Sequence, residues 1–329
     1  MAILNAFILL VIAAITYGTP LLFGTLGEIL TEKSGNLNLG VEGIMFMGGA
    51  FGLGGVFYYE KLSQNPNGFA AILIALLCAF LAGALASLIF SFITTTLRAN
   101  QNVTGLALSI FGTGVGQFAG EFMRVCAGGY VTISNALKAF FTASPFPGAL
   151  QNIPVVGQLL FGNSFFFYLA IVLAVGMHLF LNRTRPGLYL RAVGESPATA
   201  DAAGINVARY KYLATITGGG ISAVGGMVYI TTIAMCVWNH EGLSGEGWLA
   251  VALVIFCLWR PLASIWGSIL FGALMILYLR LQIPFVPTEL YKILPYVVTV
   301  IVLIISSLRN NKEKQPPEAL GLSYFREDR

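Results

Sequence analysis

Charge is scarce in this chain: ionisable Asp, Glu, Lys and Arg make up 10% of its 329 residues, against about a quarter in an average soluble domain. With 57% hydrophobic residues and a mean hydropathy of +0.81, the sequence carries more apolar surface than one aqueous core can bury. It reads as an all-α, polytopic integral membrane protein. There are only two histidines, His178 and His240, and neither has a second partner at metal-ligand spacing, so no metal site is expected. Scattered carboxylates do not supply the cluster at one depth that a membrane enzyme would need. The four cysteines, Cys78, Cys126, Cys236 and Cys257, lie in separate apolar segments without CxxC spacing and read as small packing residues. No lysine directly follows a glycine, so the phosphate-cradling GxxxxGK[ST] loop is absent and the chain is not itself an ATPase of that type. No basic residue precedes Lys33, so residues 1–30 lack a signal-peptide n-region and read as a retained first span. The net charge of +4 is dispersed among connecting loops, which points away from a nucleic-acid polymer as partner.

What remains is a succession of apolar runs. After the first span they fall near 40–58, 70–96, 103–126, 165–182, 211–235, 246–259, 263–281 and 291–308. That predicts about nine transmembrane helices, the run ending at Trp259 being short for a full crossing. Lysine and arginine then set the orientation. One set of alternating connections holds Lys33, Arg98, Arg183, Arg185, Arg191, Arg209, Lys211, Arg260 and the tail with Arg309, Lys312 and Lys314, and is expected in the cytoplasm; Lys61, Arg124, Lys138, Arg280 and Lys292 fall on the other side. An odd number of spans places the N-terminus outside and the C-terminus inside. The longest outer connection, residues 128–164, contains three prolines and is too broken to span; it is a candidate docking surface or lid. The expected division is a transmembrane domain over 1–308 and a flexible cytoplasmic tail over 309–329, polar and with a Pro pair.

Within the cytoplasmic segment of about 183–211, one stretch has clear helix punctuation. Ser196 suits the N-cap, Pro197 the first helical position, and Gly204 the left-handed conformation that follows a last turn, which predicts a helix over Pro197–Ala203. A helix that short is marginal alone and needs a partner surface. An ordinary surface loop is the other reading of the same spacing.

Those residues carry a resemblance. RAVGESPATADAAGINVARYK resembles the coupling segment of permease subunits in bacterial ATP-binding-cassette importers, where an alanine-rich helix followed by Gly engages a groove on the ATPase. GEILTEKSGNLNLGVEGIMFMGGAFG, residues 27–52, is similar to the N-terminal motif of the nucleoside branch of the ribose, nucleoside and branched-chain amino-acid permeases. RANQNVTGLALSIFGTGVGQF and GEGWLAVALVIFCLWRPLASIWGSILFGAL fit the same branch, so the resemblance spans most of the chain. It implies that Ser196, Pro197, Ala200, Asp201, Ala203 and Gly204 contact the ATPase. It also implies that ATP and Mg sit on that partner with no cofactor in this chain, and that an extracytoplasmic substrate-binding protein delivers the solute. A second permease completes the pathway; the single span before GEIL resembles the shorter member of a heterodimeric pair. Sugar permeases of this superfamily carry a glycine-glycine-hydrophobic-Asp pattern where this chain has KSGNLNLGVEG. A nucleoside is therefore the expected solute, with riboflavin, a sugar or a branched-chain amino acid as alternatives in the same class.

Polar groups inside spans cost about 2.5–3.5 kcal/mol at the bilayer centre and so tend to face protein or a wet cavity. Glu28 and Glu42, bracketing Asn36 and Asn38, are the leading pathway candidates, and Asn102, Thr104 and Gln117 form a second polar group. Two alternatives stand beside this: Glu42 caps a helix or pairs with Lys33, and Thr104 and Gln117 bond their own helix or a neighbour. The glycine runs at 48–55, 112–120 and 218–226 suit close helix packing or broken helices around a cavity. A secondary transporter is the remaining function class, against which the sequence offers no evident internal repeat.

Overall fold

A computed structural model describes residues 2–151, 153, 155–280, 288–308 and 316–325. Every regular element among them is helical. The long helices are α1 (Ala2–Glu32), α2 (Val41–Leu62), α3 (Gly68–Ser91) and α4 (Gln101–Ala127). The outer connection forms three short helices, α5 (Asn135–Thr142), α6 (Gly148–Gln151) and α7 (Val156–Phe161). Then come α8 (Phe165–Arg183), α9 (Arg185–Glu195), α10 (Pro197–Ala202), α11 (Val207–Val228), α12 (Glu246–Phe256), α13 (Pro261–Arg280) and α14 (Thr288–Leu308). Both α3 and α11 run on into a wider π-helical turn, Phe92–Thr96 and Tyr229–Ile233.

The bundle has an inner set and a rim. α2 buries 83% of its apolar span and α3 only 33%, which places α2 inside with α1 and α11 and leaves α3 a free face for lipid or another subunit. Glycine makes the inner contacts possible. A Cβ on Gly48 would overlap the Ala223 carbonyl, one on Gly226 the Met45 carbonyl, and one on Gly27 the Gly218 carbonyl. Backbones at that separation leave no room for a side chain. Close packing is thus the role of most of these glycines; Gly114 is an exception, facing open space.

The expectation of about nine spans is not confirmed. Six helices are long and apolar enough to cross a membrane, and Glu246–Phe256, Pro261–Leu277 and Ile293–Val302 are shorter apolar stretches. The eleven residues of α12 extend only about 16 Å, roughly half a hydrocarbon core. The apolar run continues to Trp259, but the backbone does not: Leu258 and Trp259 sit at φ 53° and 54°, reversing the chain before Pro261 opens α13. Hydropathy is blind to such a turn.

Among the described residues, basic groups of the two sets lie toward opposite ends of the bundle. At one end Gly194 packs on the Lys33 carbonyl, the Arg98 guanidinium lies 4.8 Å from the Phe325 ring centre, and Trp259, beside Arg260, bonds Glu32. At the other, Lys61 donates to the Cys126 carbonyl and Phe140 of α5 covers Gly68.

Of the tail expected over 309–329, residues 309–315 and 326–329 lie outside the described residues, and 316–325 make contacts with the bundle. The Ala319 amide donates to the Gly194 carbonyl (3.0 Å), the Gly321 amide to Gly35 (3.2 Å), and the Tyr324 hydroxyl to Asp201 Oδ2 (2.8 Å). Polarity of a segment does not prevent docking when the surface beneath offers unpaired carbonyls and carboxylates.

Candidate functional site

Two helices begin inside the bundle, and their starts meet. α2 does not begin at the end of the molecule: Gly105, early in α4, lies against Leu39, and Gly112 lies against Gly43. The start of α2 is therefore level with the third turn of α4, about 12 Å along that helix. Between Lys33 and Gly40 the chain reaches this level without helical bonds, so side chains must hold it. Asn38 donates its amide N–H to Glu28 Oε1 (3.2 Å) and accepts from Gly40 through Oδ1 (2.9 Å); Asn36 donates through Nδ2 to Thr215 (2.9 Å). The Leu37 amide donates to Gln101 (2.6 Å).

The second start is that of α12. After α11 the chain turns at Met235 and Cys236, both at positive φ, and returns inward to Gly245. There the Glu42 carboxylate accepts three amides: Gly245 N–H on Oε1 (2.7 Å), and Gly247 (2.7 Å) and Trp248 (3.3 Å) on Oε2. The open N-terminal amides of a helix and their positive dipole end are what a carboxylate binds best. Glu246 begins the same helix; it is 4% exposed, and its Oε2 has no hydrogen-bond partner among the described residues.

The candidate pathway residues therefore separate into groups. Glu28, Asn36 and Asn38 brace the entering chain, and Glu42 caps a helix, as the alternative reading held. Thr104 bonds the Asn100 carbonyl of its own helix (2.8 Å), and Gln117 reaches the His240 carbonyl (3.4 Å). Asn102 is exposed near the start of α4. Thr104 and Gln117 are thirteen residues, about 20 Å, apart along α4, so the second polar group is not one site. Glu246 was not singled out from the sequence; the signal available was a lone acid opening an apolar run.

At the basic end, α9 and α10 form the face expected for coupling. Ser196 accepts from the Thr199 amide (3.4 Å) and Pro197 starts α10, as expected, although α10 ends at Ala202. Gly204 has φ +82°; its amide bonds Asp201 (2.9 Å) and that of Ile205 bonds Ala200 (3.0 Å), the two bonds of a Schellman end. Ala198, Thr199, Ala202, Ala203 and Gly204 are exposed. Ala200 is not: it packs with Val193 and Val207, beside Tyr324. Asp201 accepts the Tyr324 hydroxyl. The preceding helix, α9, went unread, although Thr184 caps it through the Gly187 amide (3.2 Å). Nearby, burial pushes the Lys33 ammonium below its ordinary pKa, while the Glu195 carboxylate pulls it back up.

Comparison with known proteins places this architecture. A family model described as the permease component of branched-chain amino acid transport systems matches residues 10–303. The guanosine ABC transporter permease NupQ of Bacillus subtilis (strain 168) is 32% identical, covering 92% of this chain and 93% of that protein. The nucleoside ABC transporter permease NupC of Lactococcus lactis is 31% identical over 99% of each. A putative glucose ABC transporter permease, TsgC13 of Haloferax volcanii, is 32% identical over 96% of this chain and 97% of that protein. Helices that start inside a membrane bundle, an exposed capped turn at its basic end, and matches of this extent identify the chain as a membrane protein of the permease-component family of branched-chain amino acid transport systems, an ABC transporter permease.

Proposed function

We propose that this chain is one of two permease subunits of an importer that carries a nucleoside into the cell, with ATP and Mg held by a partner ATPase and no cofactor of its own. The observation that carries the transport mechanism is the junction of α2 and α12. Interrupted helices whose ends meet within the bundle give a solute backbone and carboxylate groups at mid-depth, where continuous helices would present only side chains. Glu42 holds the junction, and Glu246, whose Oε2 has no partner among the described residues, meets a solute hydroxyl or base edge. Glu28, Asn36 and Asn38 keep α2 in place; Asn102, Thr104 and Gln117 serve the two ends of α4.

Coupling runs through α10. Ala198, Ala202, Ala203 and Gly204 offer a small, flat surface to a groove on the ATPase, while Ala200 and Asp201 anchor that surface to the permease. ATP binding shifts the pair between inward- and outward-open arrangements only as far as its affinity differs between them. The outer connection of α5–α7 and the loop before them, with Tyr130, Phe140 and Leu160 exposed, receives the substrate-binding protein. The basic end faces the cytoplasm, following the lysine and arginine asymmetry.

A nucleoside is favoured by the names of two relatives and by KSGNLNLGVEG; the glucose permease, equally similar, supports a sugar as the second reading. Uptake by the reconstituted importer should be inhibited by unlabelled guanosine, adenosine or uridine and not by glucose or ribose. Inhibition by the sugars alone would transfer the assignment to the second reading.

A further inference from the structure

The basic end holds a cavity of about 390 Å³ that transport does not explain. Its wall is built from the π turn that ends α3 (Thr94, Thr95), from Arg98, from the end of α10, from the first turn of α11 and from Tyr324 of the docked tail. Lys211 lines it. Only 3% of Lys211 is exposed, yet among the described residues its ammonium has no hydrogen-bond or ion-pair partner. A cation held in a largely buried side chain with no protein partner leaves the cavity it lines favourable to an anion.

Four further donor groups belong to residues that line the same space. The Thr95 hydroxyl is buried and lacks a partner. Asn206 caps α11 by accepting the Arg209 amide (3.0 Å), which leaves the Val207 and Ala208 amides, in the cavity wall, without an acceptor in the helix. Arg98 stands at the rim with its guanidinium over Phe325, and among the described residues no carboxylate pairs with it. Asp201, the one acid in the wall among the described residues, accepts the Tyr324 hydroxyl, and two cations with a helix N-terminus outweigh it. Two cationic side chains, a hydroxyl and a helix N-terminus around one cavity suit a tetrahedral oxyanion, whose charge and acceptor oxygens match them.

We propose that this cavity binds a phosphate group, held by Lys211 and Arg98 against the start of α11. The cavity lies at the basic end, where the headgroups of the inner leaflet would lie, so the phosphate comes either from an anionic phospholipid or from solution. An occupant would tie the end of α10 to α3 and α11, stiffening the coupling turn whichever solute is carried.

The test uses two probes on the purified full-length permease complex. Retention of phosphatidylglycerol is read by native mass spectrometry after exchange from mixed phosphatidylglycerol and phosphatidylcholine micelles, and binding of inorganic phosphate by equilibrium dialysis with ³²P. At least one probe should bind saturably, and affinity should fall about ten-fold or more in both Lys211→Gln and Arg98→Gln, the loss expected for one charge-assisted hydrogen bond. Preference for phosphatidylglycerol with no phosphate binding assigns the lipid source, and the reverse assigns the soluble one. Lys211→Gln removes a buried unpaired charge and should fold at least as well as the parent; Arg98 is exposed, so its variant carries little folding risk. Failure of both probes to bind the parent complex, or equal binding by parent and both variants, would overturn the proposal.

Discussion

Leu39–Gly43 reads LGVEG and Leu243–Gly247 reads LSGEG, and the two stretches do related work from opposite sides of one junction. Each starts a helix inside the bundle and puts a glutamate at its first or second position. Each follows that glutamate with a glycine pressed on a neighbouring backbone: Gly43 on the Ser109 and Leu108 carbonyls, Gly247 on the start of α2 at Glu42. The glutamates then diverge. Glu42 accepts three amides, whereas Glu246 keeps a buried oxygen without a partner. One carboxylate is consumed by the architecture and the other is left over, which is why the solute contact is assigned to Glu246 and the structural role to Glu42.

The harshest way to break the pair is to separate the helices. Gly247→Ala would place a methyl onto the Glu42 backbone, where neither helix start can yield without losing its capping bonds. We expect no monodisperse protein by size-exclusion chromatography. Glu42→Gln should come next. One amide oxygen replaces two carboxylate oxygens, the added NH₂ opposes N–H donors, and at least one charge-assisted bond is lost, for a cost of about 3 kcal/mol. Thermal unfolding in detergent should show a clearly lowered midpoint; an unchanged one would mean that these amides find other acceptors.

Glu246→Gln sharpens the contrast. Removing an unpaired buried carboxylate should leave the unfolding midpoint unchanged or raise it, while uptake at matched expression falls by about ten-fold if one charged hydrogen bond to solute is lost. Lowered stability with normal uptake would reverse the roles of the two glutamates.

This contrast was only half legible in the sequence. An all-helical membrane bundle, close-packed glycines, and the caps at Ser196 and Gly204 follow from composition, spacing and local chemistry, which the fold does not override. Glu42 could be recognised as important but not as a clamp, because its partners lie some two hundred residues away. The half-length of α12 was hidden because hydropathy counts apolar residues and ignores the left-handed backbone at Leu258 and Trp259. Asn36 and Asn38 look like pathway residues on the same ground that makes them braces: a non-helical chain inside a bundle needs polar partners. The contacts of 316–325 with the bundle were not legible, because low apolar content measures self-folding and not docking.

The comparison extends to a third helix start, α10, which has the side-chain cap that α2 and α12 lack and no bundle around it. There a substitution should disturb function before stability, and the two residues of its last turns should differ. Ala200 is 3% exposed among Val193, Val207 and the tail, so Ala200→Arg has no space and should lower the amount of folded protein. Gly204 faces open space, and only its φ of +82° resists a side chain. Gly204→Val therefore carries a backbone strain of about 1–3 kcal/mol, local to an exposed turn, and should leave the permease folded with little change in midpoint. To relieve that strain the turn must unwind, moving Ala202 and Ala203 out of the surface offered to the ATPase. Solute-stimulated ATP hydrolysis by the reconstituted complex should fall several-fold while basal hydrolysis and solute-binding-protein docking persist. Full stimulation in Gly204→Val, with the strain confirmed by a small drop in midpoint, would show that the ATPase does not grip this turn.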